Sequence, residues 1–282
     1  PACMSVKLCL MHANCQGEEL ETLLTASRAF SSVYRIVRRI NYTREPILPE
    51  DLERCALFLY QHLDAHWGDL ASEALMCRLP RTACRLRIPN MFFKGYWPFW
   101  TSSGPINFGD FLLNRLLDEG NPKEVILAVY LHGKVEAFGD FQAAVDESLT
   151  STEADDPEKI FGLSERIREH WKTRMLFHTV NHPGAELLTY TADVVLRRLG
   201  FPPLSRDERA SVCRCRLFPS YADFDLPVHP ATAAFHGLTF AGPDTRFKVF
   251  GRKMTFEQYV SRYIDCRLAG LEDGFLGYLQ IV

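Results

Sequence analysis

Val6-Lys7-Leu8-Cys9-Leu10-Met11-His12-Ala13-Asn14-Cys15-Gln16-Gly17-Glu18-Glu19-Leu20 is the stretch on which the fold turns. An apolar run stops at a polar, glycine-containing turn and passes at once into the helical pattern Glu18-Glu19-Leu20-Glu21-Thr22-Leu23-Leu24. A buried strand, a tight turn and a helix N-terminus in that order form the opening unit of an α/β fold. The turn sets Cys15 where backbone N–H groups and the helix dipole favour an anion, so its thiol is expected to be acidified and nucleophilic. Cys9, inside the run, reads as an inert small apolar residue.

The same order of strand, loop and helix recurs outward along the chain. Val33, Ile36 and Val37 predict a strand near 33–37, and Pro49-Glu50-Asp51 opens a helix with proline and acids in its first turn. The segment from Cys84 to Ile88 predicts another strand, which delivers the loop Pro89-Asn90-Met91-Phe92-Phe93-Lys94-Gly95-Tyr96-Trp97-Pro98-Phe99-Trp100. So many large apolar side chains do not make an ordinary solvated turn, and they either fill the core or line a pocket. Lys94 and Gly95 among them favour the pocket, as a cation and a close backbone approach for a phosphate-bearing ligand.

Residues 110–119 and 122–148 read as largely helical, although Val125-Ile126-Leu127-Ala128-Val129-Tyr130-Leu131 fits a strand or a buried helix equally well. The polar segment Ser148–Lys159 reads as an exposed connector or cap, followed by an amphipathic helix over 162–172. Met175–Val180 is apolar and leads through Asn181-His182-Pro183-Gly184 into a helix from Ala185 to Leu199 that ends at Gly200. A cysteine in one such loop and a histidine in a distant one are the separated parts of a Cys–His nucleophile, here Cys15 and His182.

Composition sets bounds. The 282 residues form, on this reading, a single α/β domain with a mostly parallel sheet flanked by helices, with 201–282 as a C-terminal extension or cap. A net charge of -3 excludes the global basic field of a general nucleic-acid binder. No apolar run is long enough for a transmembrane helix, and the expected compartment is the cytoplasm. The nine cysteines are odd in number and irregularly spaced, which favours reduced thiols. Cys213-Arg214-Cys215 lacks a second ligand pair nearby, so it reads as alternation on a strand, and no metal is expected.

His12-Ala13-Asn14-Cys15-Gln16, the Pro89-Asn90 loop, Gly95-Tyr96-Trp97-Pro98 and Asn181-His182-Pro183 together resemble the WcbI family of capsular polysaccharide biosynthesis proteins. The likeness extends to Pro227-Val228-His229-Pro230 and to Thr255–Ile264. It implies a coenzyme A-binding acetyltransferase that moves acetyl from acetyl-CoA to a hydroxyl of a capsule sugar or sugar nucleotide. More distantly the layout resembles the SGNH hydrolases, which implies Cys15 in place of their serine, His182 as their histidine and Asn90 near their central asparagine. Asn14, Gln16 and Asn90 are then the expected oxyanion or positioning groups, and His12, Gly17, Lys94, Tyr96 and Trp97 the expected cofactor contacts. Those hydrolases carry an aspartate three residues before the histidine; here that residue is Thr179, which leaves a Cys–His dyad. An esterase or deacetylase using the same dyad, and a non-catalytic subunit binding coenzyme A or glycan, are the alternative functions.

Overall fold

The computed structural model describes residues 6–214 and 223–281. Its chain folds into two compact units, each assembled from separated segments. The first comprises Pro1–Met91, Thr152–Leu163 and Ala185–Pro219, and the second Phe92–Ser151, Ser164–Gly184 and Ser220–Val282. The 201–282 region is thus shared between them.

The first unit is built on four parallel strands: β1 (Lys7–Ala13), β2 (Tyr34–Ile40), β3 (Cys55–Tyr60) and β4 (Cys84–Arg87), in the order β2-β1-β3-β4. β1 is buried from Leu8 to Ala13 without alternation, as a central parallel strand covered on both faces must be. On one face Leu10, Phe58, Leu52, Leu75 and Leu79 make a continuous apolar cluster. On the other lies helix α1 (Gln16–Ala26), whose entry is so close that a Cβ on Gly17 would meet the Cβ of Ala13 at 2.8 Å. Only glycine lets the first turn of α1 sit on the strand it leaves. The helix Ala185–Arg198 packs beside α1, and Gly200 ends it at φ +83, as its sequence predicts.

In the second unit the ambiguous apolar run is a helix, Lys123–His132, ending at Gly133. The expected helix over 122–148 is therefore broken, resuming at Phe141. The expected exposed connector beyond Ser148 is corrected twice. Its first residues continue the helix Phe141–Asp155, and the Asp156 carboxylate is turned inward to accept from the backbone N–H groups of Ile160, Phe161 and Gly162. Asp156 thus serves backbone donors, while residues 157–159 beside it are exposed as expected. Cys213 and Arg214 belong to the helix Arg206–Arg214 rather than to a strand, while Cys215 lies outside the described residues. No helix among the described residues is long and apolar enough to cross a membrane.

Candidate functional site

Three loops leave the carboxyl ends of β1, β3 and β4 side by side in the first unit, the usual position of a ligand site in a parallel sheet. They are joined by amides. Asn14 Oδ1 accepts from the backbone N–H of Gln16 at 2.9 Å, and Asn14 Nδ2 donates to Asn90 Oδ1 at 2.9 Å. The backbone N–H of Asn14 donates to Gln61 Oε1 at 2.8 Å, while Gln61 Nε2 donates to the Pro89 carbonyl at 3.2 Å. Gln16 clasps Met91 from both sides, its Nε2 donating to the carbonyl at 2.7 Å and its Oε1 accepting from the N–H at 3.0 Å. Asn14, Cys15, Gln16 and Asn90 are thus brought into one cluster.

One expectation changes here. The backbone N–H of Gln16 is held by Asn14 Oδ1, and the exposed Asn90 is fixed through its Oδ1 by Asn14. The Cys15 thiol is raised, not lowered: burial comes first and the Glu19 carboxylate second, outweighing the backbone N–H groups of Cys15 and Gln16 that favour the thiolate. Helix-start position alone does not acidify a half-buried thiol beside two carboxylates.

His12 and Gly17 are both buried in this structure. His12 is fully buried, neither ring nitrogen has a hydrogen-bond partner, and burial pushes its pKa down to about 4. Gly17 is the close contact between α1 and β1, a packing role.

The aromatic loop belongs to the second unit, where Tyr96 and Trp97 are buried and also line a pocket together with Phe99, Trp100, Phe108 and His229. Tyr96 is completely buried and its hydroxyl donates to the Trp171 and Arg174 carbonyls at 2.8 and 2.9 Å. Trp97 sends its Nε1–H to the carbonyls of Leu226 and Pro227 at 3.0 and 3.2 Å. Phe93 stacks on Phe177 and meets Trp171 edge-on. Lys94 Nζ lies 3.5 Å from Glu147, so the expected phosphate cation already faces a carboxylate. The polar tips of Tyr96 and Trp97 are taken up by neighbouring backbone carbonyls, whereas the buried Trp100 Nε1 has no such partner.

His182 is also in the second unit, in a two-strand turn formed by Phe177–Thr179 and His182–Pro183. It is buried, packed edge-on by Phe108, and its Nδ1 lies 2.5 Å from Thr179 Oγ1. Burial, then the nearby His178, pushes its pKa down to about 4, so the ring is neutral. The sequence did not reveal a second couple beside it, His178 Nδ1 to Asp225 Oδ1 at 2.6 Å, because the partners are 47 residues apart and Asp225 has no motif around it. Gln61 did carry a signal: it is the first polar residue after a buried parallel strand.

Residues 8–204 match the family described as polysaccharide biosynthesis enzyme WcbI. A solved structure of WcbI superposes with a TM-score of 0.69 and 16% identity, covering 98% of this chain and 96% of that one. It is described as a novel polysaccharide biosynthesis enzyme, in a native form without a disulfide bond between coenzyme A and a cysteine. No curated protein matches the sequence.

Proposed function

Because this chain belongs to the WcbI family of polysaccharide biosynthesis enzymes, we propose that it is an O-acetyltransferase that takes acetyl from acetyl-CoA and delivers it to a sugar hydroxyl. The observation that carries this reading is the amide cluster at the strand ends, which fixes Asn90 through its Oδ1 beside the turn that holds Cys15 at the start of α1; the Asn90 N–H is the oxyanion donor of this proposal. That arrangement suits a thioester: a thiol for the carbonyl carbon and an N–H for the oxygen that becomes negative. The description of the solved relative in terms of a disulfide between coenzyme A and a cysteine supports coenzyme A as the carrier here too.

In the first step His182 takes the Cys15 thiol proton as Sγ bonds to the acetyl carbon, the bond from that carbon to the coenzyme A sulfur breaks, and the proton passes to that sulfur, so that coenzyme A leaves as the thiol. One thioester replaces another. In the second, the sugar hydroxyl oxygen attacks the acetyl carbon, the Cys15 C–S bond breaks, and His182 accepts the hydroxyl proton before returning it to Cys15. With the thiol raised and the imidazole at about 4, the resting pair is thiol and neutral imidazole rather than thiolate and imidazolium. The base is therefore competent throughout the neutral range and loses function only as pH falls toward 4.

The test is mass spectrometry of the protein incubated with acetyl-CoA and digested, with the expected result of one acetyl group on the peptide containing Cys15. Cys15→Ala abolishes it. Labelling elsewhere, or none with acetate released, favours an esterase or a binding subunit instead. The His178–Asp225 pair supports one second reading, in which His178 is the base: His178→Ala would then stop transfer while His182→Ala would not.

A further inference from the structure

We propose that Thr179 is the positioning residue for His182, fixing which ring nitrogen carries the proton through a neutral relay to Asn181; this rests on the reading of His182 as the base. Thr179 is fully buried, and its Oγ1 lies 2.5 Å from His182 Nδ1 and donates to Asn181 Oδ1 at 3.1 Å. An amide oxygen can only accept, so the single hydroxyl proton goes to Asn181. The hydroxyl oxygen must then accept from His182, which places the imidazole proton on Nδ1 and the basic lone pair on Nε2. A histidine's partner at one nitrogen decides what the other can do.

A threonine thereby occupies the sequence position, three residues before the histidine, where the resembling hydrolases carry an aspartate. The substitution has a chemical consequence. A carboxylate orients the ring and also stabilises its cation, whereas a hydroxyl orients it alone. Around the turn, the neighbouring His178 is tied to Asp225 and works against a charge on His182, and Phe108 packs edge-on against the ring. Thr179 alternates with His178 along the strand, so the neutral relay and the carboxylate pair sit on opposite sides of one backbone.

The experiment is two-bond proton–nitrogen correlation NMR at pH 7 on the whole chain labelled with nitrogen-15 histidine, with the His182 signals identified by their loss in His182→Gln. The expected spectrum shows the Nδ1–H tautomer. Thr179→Ser should preserve it, and the isosteric Thr179→Val should move it toward Nε2–H. Turnover of acetyl-CoA by Thr179→Val should fall by about a hundredfold or more in kcat with KM unchanged, since a wrongly protonated imidazole is bound but idle. Thr179→Asp should raise the pKa of His182. An unchanged tautomer in Thr179→Val, or an unchanged kcat, overturns the proposal. Full activity in His182→Gln would instead overturn the assignment of His182 as the base, whatever the tautomer.

Discussion

Cys15 begins α1, yet burial and the Glu19 and Glu18 carboxylates keep its thiol above the ordinary range, while Cys77 and Cys84 are exposed. Iodoacetamide at neutral pH should therefore label Cys77 and Cys84 first, with Cys15 lagging; peptide mapping over time that finds Cys15 fastest would contradict this reading. The sequence-based expectation was the reverse, because position in a helix is legible in a sequence and desolvation is not. His12 offers a second measurement at the same level. Its two ring nitrogens are buried without partners, so His12→Leu should raise stability by about 1 kcal/mol, the order of one relieved desolvation cost. A lower urea midpoint in that variant would show that the shape of the imidazole matters more than its unmet hydrogen bonds.

Among the elements, the aromatic loop of the second unit is fastened to distant backbone by Trp97. Trp97→Phe keeps an aromatic ring but removes the indole N–H and part of the ring, strands the Leu226 and Pro227 carbonyls, and should cost about 1–3 kcal/mol whether or not coenzyme A is present. A loss that appears only in the coenzyme A-bound protein would return the loop to a ligand role. The contrast between this loop and the opening strand, turn and helix marks what a sequence discloses. Apolar runs, turn residues and helix periodicity are local, so β1, α1, β4 and the helix before Gly200 could be read directly. The carbonyls that receive the Trp97 N–H are 129 and 130 residues away, and composition cannot distinguish a ring that fills a core from one that lines a pocket. The Asn14–Asn90 pair was half legible, since both residues stood out singly but nothing in their loops said that the two amides meet.

Among the described residues of the whole chain, four histidines share one tendency. His12, His182 and His236 are pushed down by burial to about 4, and His229 is lowered too. Unfolded, each binds its proton near 6.5, so as pH falls the unfolded state gains protons first. Stability is complete above about 6.5 and declines as pH falls toward 4. Asp110, raised by burial to about 7, acts in the opposite sense but is one group against several. Urea titrations from pH 8 to 4.5 should show the decline, and a flat profile would contradict it. The matched family segment ends at residue 204, yet the second unit needs Leu226, Pro227 and Tyr263. A chain cut after Leu204 should fail to fold cooperatively, as judged by loss of a thermal transition and rapid proteolysis. The clasp around Cys15 follows another rule, because Asn14, Gln16, Gln61 and Asn90 are all carboxamides. Uncharged at every pH, they give salt no counter-ion to compete with and acid no site to protonate. An ionic-strength dependence of turnover would therefore report on the arriving substrates and on the Glu18 and Glu19 carboxylates beside the thiol, not on a loosening of the amide clasp itself.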